Sequence, residues 1–510
     1  MPPILMPIAE YAPDQPALIG TGSSLIRNVY PRTSRSYGSV NSAVATAYGA
    51  LGSRCQGGVA FTDKTGAVYI FAGNGSDLFY LTSSLSSWTN VSKSAAAYAI
   101  GSDQQWQFTY FNGDVIATNI TDNPQVFTLG TSTAFADLPG SPPRARYIGV
   151  VKYAFVVMGH TYDSVNGTMP QRLHWCAAGN HRSWPELGSN LGAQVQSTAV
   201  DLLGPQGSIM GIAPDLANAD AAIFQQFAVR RMMYVGPPNI FTLLAVESGR
   251  GSPAPYSIVS YGGIAYYFGQ DGFYAFDGAE SKAIGAGKID KTFFADVDLG
   301  NLHRVIGVAD PLKKLIWWAY PSTASVSGNP DRMLCYNISI DRWGMAEITC
   351  ETIVKMMGLG YTLDELFTLL GYTLDTLPAP LDSAVWQGGR PVLGLFDTDH
   401  KLNFLTGDAL AATVELNEIQ PYPGKRAMVR SVRPFVDGVT AAPTVAIGRR
   451  EKLQQAVSYT ADSPLNGLGA CPQRTSGRYL RALVKIPAGA DTVWTNMSGA
   501  ELDCVELGLR

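Results

Sequence analysis

The chain has 510 residues, 15% of them charged and 46% apolar, with 53 Gly, 31 Pro and a net charge of −4. A single hydrophobic core stops growing near roughly 250 to 300 residues, so two or more domains are expected. The low charge content excludes a disordered polyelectrolyte, the near-zero net charge disfavours a protein that coats nucleic acid by neutralising phosphates, and Gly and Pro without a collagen period favour many turns and short strands.

Residues 1–54 read as an extended N-terminal segment that packs on the body or on a platform. From about 55 to 405 the chain repeats strand, tight turn, strand, with β-branched and aromatic residues in the runs and Gly-rich turns between them. The first unit holds Gly58 to Asp63, Val68 to Phe71 and Leu78 to Leu81 and closes on Trp88. A second holds Tyr147 to Val151, Tyr153 to Met158 and Arg172 to Cys176, closing on Trp184, and a third holds Val305 to Ala309, Lys314 to Tyr320 and Met333 to Asn337, closing on Trp343. Other strand groups fill the gaps, which implies a unit of roughly 40 to 50 residues, the range of propeller blades. An isolated meander cannot bury both of its faces, whereas a ring of meanders can. The fold class expected is therefore all-β, a β-propeller of six or seven blades over about 55–405, with Trp88, Trp184 and Trp343 at equivalent positions. The competing reading is a pair of β-sandwiches.

One stretch interrupts this pattern. Gly360-Tyr361-Thr362-Leu363-Asp364 returns eleven residues later as Gly371-Tyr372-Thr373-Leu374-Asp375. Thr362 with Glu365 forms a capping box, Leu363, Leu366, Phe367 and Leu370 fall on one helical face, and Gly371 supplies the stop, so a short helical insertion is expected near 360–378. Beyond 405 the strands lengthen, which points to a β-sandwich platform over 406–510. Residues 421–510 carry 12 Lys/Arg against 7 Asp/Glu, a net of +5, and leave −9 on the rest. Arg430, Arg433, Arg478 and Arg481 are expected to line one exposed face of that sandwich as a docking surface.

Sites for chemistry are sparse. Gly285-Ala286-Gly287-Lys288-Ile289 lacks the parts of a P-loop, no G-x-S-x-G elbow occurs, and five His leave few bases for a Ser-His-Asp site. His174, Cys176 and His181 form one metal-like cluster, but a His-x-Cys on a strand is more often half-buried core. Thr62-Asp63 to Gly66 and Ser86-Ser87-Trp88 match fragments of a sialidase aspartate box without completing one, and turn aspartates usually serve as local hydrogen bonders. The six Cys are scattered, so neither a disulfide framework nor a zinc ribbon follows, and no catalytic, cofactor or metal residue is assigned. No run reaches the ~18 apolar residues of a membrane span and Met1 to Ala9 lacks the basic start of a signal peptide, so synthesis in the cytoplasm is expected, with the N-x-S/T matches arising by chance.

A family resemblance is carried by Tyr11-Ala12-Pro13-Asp14, Asn28-Val29-Tyr30-Pro31, Trp106-Gln107-Phe108, Gly272 to Gly278, Tyr336-Asn337 with Asp341 to Gly344, Leu381-Asp382-Ser383, Ser431 to Pro434 and Ser476 to Arg481, ending in Gly508-Leu509-Arg510. In this order and over nearly the full length they resemble the tail nozzle proteins of short-tailed bacteriophages, of the tail tubular protein B type. That resemblance implies a non-enzymatic virion protein of the phage tail, assembled in the host cytoplasm, whose copies form a homo-oligomeric ring, a hexamer by family likeness. The ring would sit below the portal and the head-to-tail adaptor, near tail fibres or spikes, and would surround double-stranded DNA without sequence-specific binding, retaining the genome and releasing it. The alternative from another class is a carbohydrate-binding or glycan-degrading propeller at the tail surface.

Overall fold

The structure is a computed structural model that describes residues 3–508 except 17, 19–21, 439 and 490–491; Leu509 and Arg510 lie outside the described residues. Strands dominate, and the helices are short. Seven four-stranded antiparallel meanders stand around one axis: blade one over 58–90, two over 107–137, three over 144–201, four over 209–248, five over 259–283, six over 306–346, and seven over 352–404 completed by Val44–Ala50. Each inner strand packs on the next, and Thr352–Met357 of blade seven packs back on Gly58–Thr62 of blade one, which closes the ring. The protein is an all-β propeller, with seven blades rather than six.

The body does not begin at 55. Val44–Ala50 pairs antiparallel with Lys401–Phe404, Phe404 facing Val44 and Lys401 facing Ala50. An outer strand taken from before blade one thus locks the last blade to the first, and the ring cannot open without breaking this ladder.

The sandwich likewise departs from the 406–510 boundary. The sheet of blade six continues past its outer strand: Met345 faces Val29, the hairpin Val29–Thr33 with Ser36–Ser39 follows, and Tyr37 faces Met497 of the long strand Asn496–Glu506, which pairs with Ala427–Asp437. Propeller and sandwich therefore share one ten-stranded sheet. The facing sheet holds Thr444–Arg450, Tyr479–Ile486, Ala412–Glu415 and, from the N-terminal segment, Ile26–Arg27. Val429, Val432 and Leu502 of the first sheet share one buried core with Val445, Ile447, Ala482 and Val484 of the second. The N-terminal segment supplies strands to both sheets instead of lying on their surface. Gly344 permits the joint: an added Cβ would stand 2.6 Å from the Val29 carbonyl oxygen.

The three tryptophans are not equivalent. Trp343 lies within the fourth strand of blade six, and Trp88 just precedes the fourth strand of blade one. Trp184 falls in the connection before Thr198–Asp201, which is the fourth strand of blade three. The Ser-Trp and Arg-Trp pairs look alike in sequence, yet a helix, Asn190–Val195, separates Trp184 from the strand it was expected to close. Trp343 is fully buried, Trp184 is buried and Trp88 half-buried.

The insertion forms one helix, Leu363–Thr368, with the expected capping box between Thr362 and Glu365. Leu366 and Leu370 are buried against the core that holds Val354, Trp386 and Phe396, while Leu363 faces solvent at 49% exposure. Gly371, with φ +73°, takes the left-handed turn that ends the segment. The second copy stays irregular and is held by a Thr376 hydroxyl that accepts from Thr373 N–H at 2.7 Å.

Candidate functional site

The four arginines expected to share a face lie in different settings. Arg430 and Arg433 are exposed on Ala427–Asp437, in the ten-stranded sheet. Arg478 sits half-buried in the turn between Cys471–Gly477 and Tyr479–Ile486. Arg481 belongs to the facing sheet, on the face opposite the core residues Leu480, Ala482 and Val484, but it is not free there: its guanidinium pairs with Glu415 at 3.0 Å and Glu418 at 3.4 Å, and both carboxylates are buried. Arg450 clamps Glu418 from the other side, and the Tyr459 hydroxyl and Ser24 hydroxyl donate to Glu415. Burial, followed by the hydrogen bond to Glu415 and then its charge, pushes the Tyr459 phenol well above its ordinary range. The expected shared face of four exposed arginines therefore does not form: of the four, only Arg430 and Arg433 are exposed on one strand. Its charge argument weakens as well, because 406–510 carries 12 Lys/Arg against 10 Asp/Glu once Asp408, Glu415 and Glu418 are counted.

The metal-like cluster disperses into core and turn. Cys176 is buried, and its sulfur accepts from Val156 N–H at 3.1 Å. His174 lies edge-on to Trp184 with ring centroids 5.2 Å apart, and burial, then the Arg172 charge, lowers its pKa to about 4. His181 instead meets Asp114 at 2.8 Å, where Arg182 also pairs. Asp63, from the aspartate-box fragment, caps its own turn by accepting from Thr65 N–H at 2.8 Å and Ala67 N–H at 2.9 Å.

A different constellation emerges at one end of the propeller axis. The chain enters every blade by its inner strand, so the loops that lead into the blades all gather at that end. Tyr256, in the 3-10 turn Pro255–Ser257 ahead of blade five, reaches over the axis: its hydroxyl accepts from Gln105 N–H, ahead of blade two, at 2.9 Å, and its ring stands 6.4 Å from Tyr147 of blade three. Around this floor stand Arg54 ahead of blade one, Arg146 in the inner strand of blade three, and His303 and Arg304 ahead of blade six. Arg54 Nη2 donates to the Ser102 carbonyl at 2.7 Å, and Arg146 Nη2 donates to the Asp103 carbonyl and carboxylate at 2.9 and 3.0 Å. Arg304 Nη1 donates to Asn329. The Nε atoms of Arg146 and Arg304 are buried without an acceptor. Glu351, ahead of blade seven, is buried and held by His400 Nδ1 at 2.7 Å and Cys55 N–H at 3.0 Å.

These charges act on one another. Burial, then the Arg304 charge, lowers the pKa of Arg54; burial, then Arg304, with Arg54 and Arg146 adding and Asp103 opposing, lowers that of His303. The mouth is therefore a partly dry, cationic bowl suited to holding an anion. Among the described residues no group of three His, Cys, Asp or Glu is placed to hold a metal ion. Sequence reasoning missed the bowl because its members are far apart in the chain. The available signal was their shared position just ahead of, or at the start of, an inner strand.

No family model and no curated protein matches the sequence. Among solved structures the chain is similar to the WD40 domain of Neurospora crassa Pan2, at 7% identity and a TM-score of 0.36 over 73% of this chain and 95% of that one. It is also similar to an exo-β-1,3-galactanase from Phanerochaete chrysosporium, at 8% identity and a TM-score of 0.28 over 91% of this chain and all of that one. At such values the propeller assignment rests on the strand pairing described above.

Proposed function

We propose that the chain is a structural protein of a short-tailed phage tail, of the tail nozzle type, that acts as a rigid ring-forming block and not as an enzyme. The observation that supports this reading is the sheet shared by blade six and the sandwich, in which Met345 faces Val29 and Tyr37 faces Met497. A continuous sheet transmits load between two bodies without a hinge, which suits a wall that withstands a pressurised genome better than it suits a catalyst that opens and closes. The order of short strings from Tyr11-Ala12-Pro13-Asp14 to Ser476-Gly477-Arg478-Tyr479 adds the family likeness. Copies in a ring would meet through two different patches, a heterologous contact that must close. The outward face of the sandwich with Arg430 and Arg433 is the docking side toward the head-to-tail adaptor, and DNA passes through the ring lumen without sequence-specific contact.

The test is assembly. Electron micrographs of the purified protein mixed with portal and adaptor should show a closed ring of one stoichiometry; failure to join such particles at low and moderate salt overturns the reading. A glycan-binding propeller is the second reading, favoured by an open cleft of about 1000 Å³ beside blades two and three, lined by Tyr162, Trp184, Asp163 and Glu186. Catalysis there is disfavoured because Asp163 is engaged in its own turn by the Val165 and Asn166 N–H groups at 2.9 and 2.6 Å. Saturable binding in a soluble-sugar screen by a protein that forms no rings would establish this second reading in place of the first.

A further inference from the structure

We propose that the bowl at the mouth of the propeller axis is a binding site for a compact phosphate anion, gripped by Arg54, Arg146 and Arg304 with His303 beside them.

Three guanidinium groups from blades one, three and six converge there, and none is saturated by the protein. Arg54 and Arg304 each engage a protein acceptor through one nitrogen, Arg146 is shared between Asp103 and the Tyr256 hydroxyl, and among the described residues the buried Nε atoms of Arg146 and Arg304 have no acceptor. Holding like charges together in a half-buried place costs free energy, and a protein recovers that cost when an anion completes the site. The carboxylates nearby do not complete it. Asp103 serves Arg146 alone among the three, and Glu351 is fixed by His400 and the Cys55 amide. Counting both against the three guanidiniums still leaves one positive charge, and two when His303 is protonated.

The geometry favours phosphate over a carboxylate. Planar forks arriving from three blades surround a tetrahedral group, whereas a carboxylate offers one plane and two oxygens. Tyr256 closes the floor by its bond to Gln105, so an extended polyanion such as a DNA duplex cannot thread the axis; a small anion fits. The site is built from one chain alone, so it stands or falls independently of the tail reading.

The experiment titrates the full-length protein with inorganic pyrophosphate at low ionic strength, by calorimetry and by thermal unfolding. Pyrophosphate should raise the unfolding temperature, and the Arg54→Gln/Arg304→Gln double variant should bind at least about tenfold more weakly. The Arg430→Gln/Arg433→Gln variant, on the distant sandwich face, should bind as the parent does. Without anion the Arg54/Arg304 variant should be as stable as the parent or more so, because two repelling charges are gone. Should it fail to fold, Arg54→Gln alone decides, since that guanidinium gives up one bond to the Ser102 carbonyl. No rise in unfolding temperature overturns the proposal, as does unchanged affinity in the folded variant, or binding of a short DNA duplex that pyrophosphate does not displace.

Discussion

Replacing Trp343 by Ala should cost about 4 to 5 kcal/mol, the upper part of the range for a buried tryptophan. Its ring is fully buried between centroids of Tyr336 at 4.9 Å, Phe273 at 5.2 Å and Trp318 at 5.7 Å. Its Nε1 donates to the Ile284 carbonyl at 2.9 Å, and truncation leaves that buried oxygen unpaired, which pushes the cost upward. Trp184 donates to the His181 carbonyl at 2.7 Å and packs on His174, so its removal should cost about 3 kcal/mol. Trp88 is half-buried and meets Phe396 at 5.9 Å, and its loss should cost about 1 to 2 kcal/mol. Urea unfolding gives the order through midpoints at constant slope. Because Trp343 stands at the shared sheet, its variant should also move the unfolding of propeller and sandwich together when each carries its own fluorescent probe. Equal costs for Trp88 and Trp343, or two separated transitions in the parent protein, would refute the reasoning.

Other outcomes follow from single sites. Arg481→Ala takes the paired cation from the buried Glu415, while Arg450 still holds Glu418, and should cost about 3 kcal/mol, whereas Arg430→Glu with Arg433→Glu should leave stability within about 1 kcal/mol, both read from denaturation curves. Burial raises the Asp290 carboxyl from 3.8 to about 6, so the folded state keeps a proton that the unfolded chain has lost and stability falls as pH rises through that window. Asp290→Asn should therefore stabilise the protein by up to about 2 kcal/mol above pH ~7, and the gain should vanish as pH falls toward ~4, measured by thermal unfolding across that range. Deleting residues 1–50 removes the outer strand of blade seven and strands from both sandwich sheets; the product should lose cooperative unfolding and near-ultraviolet dichroism, and a sharp transition would contradict the closure described here.

Much was legible locally. Val68 to Phe71 with Leu78 to Leu81, and Lys314 to Tyr320 with Met333 to Asn337, fall on real hairpins, because alternation and turn residues act within about ten positions. The capping box at Thr362 and Glu365 forms as its spacing requires, since both partners belong to one helical turn. Trp184 misled because a Trp after a strand looks the same whether or not a fourth strand follows at once.

The amino-acid sequence by itself determined that the chain is all-β, that it folds as repeated meanders, and where the short helix starts and stops, since each of these is settled by neighbours in the chain. Only the tertiary structure decided that Val44–Ala50 closes blade seven, that Ile4–Pro7, Ile26–Arg27 and the hairpin of Val29–Thr33 with Ser36–Ser39 complete the sandwich sheets, that Arg481 is taken up by Glu415 and Glu418, and that Arg54, Arg146 and Arg304 come to the same end of the propeller axis as Tyr256. Those outcomes join residues hundreds of positions apart, and their free energy exists only when the ring closes and brings the loops ahead of its blades to one end of a common axis.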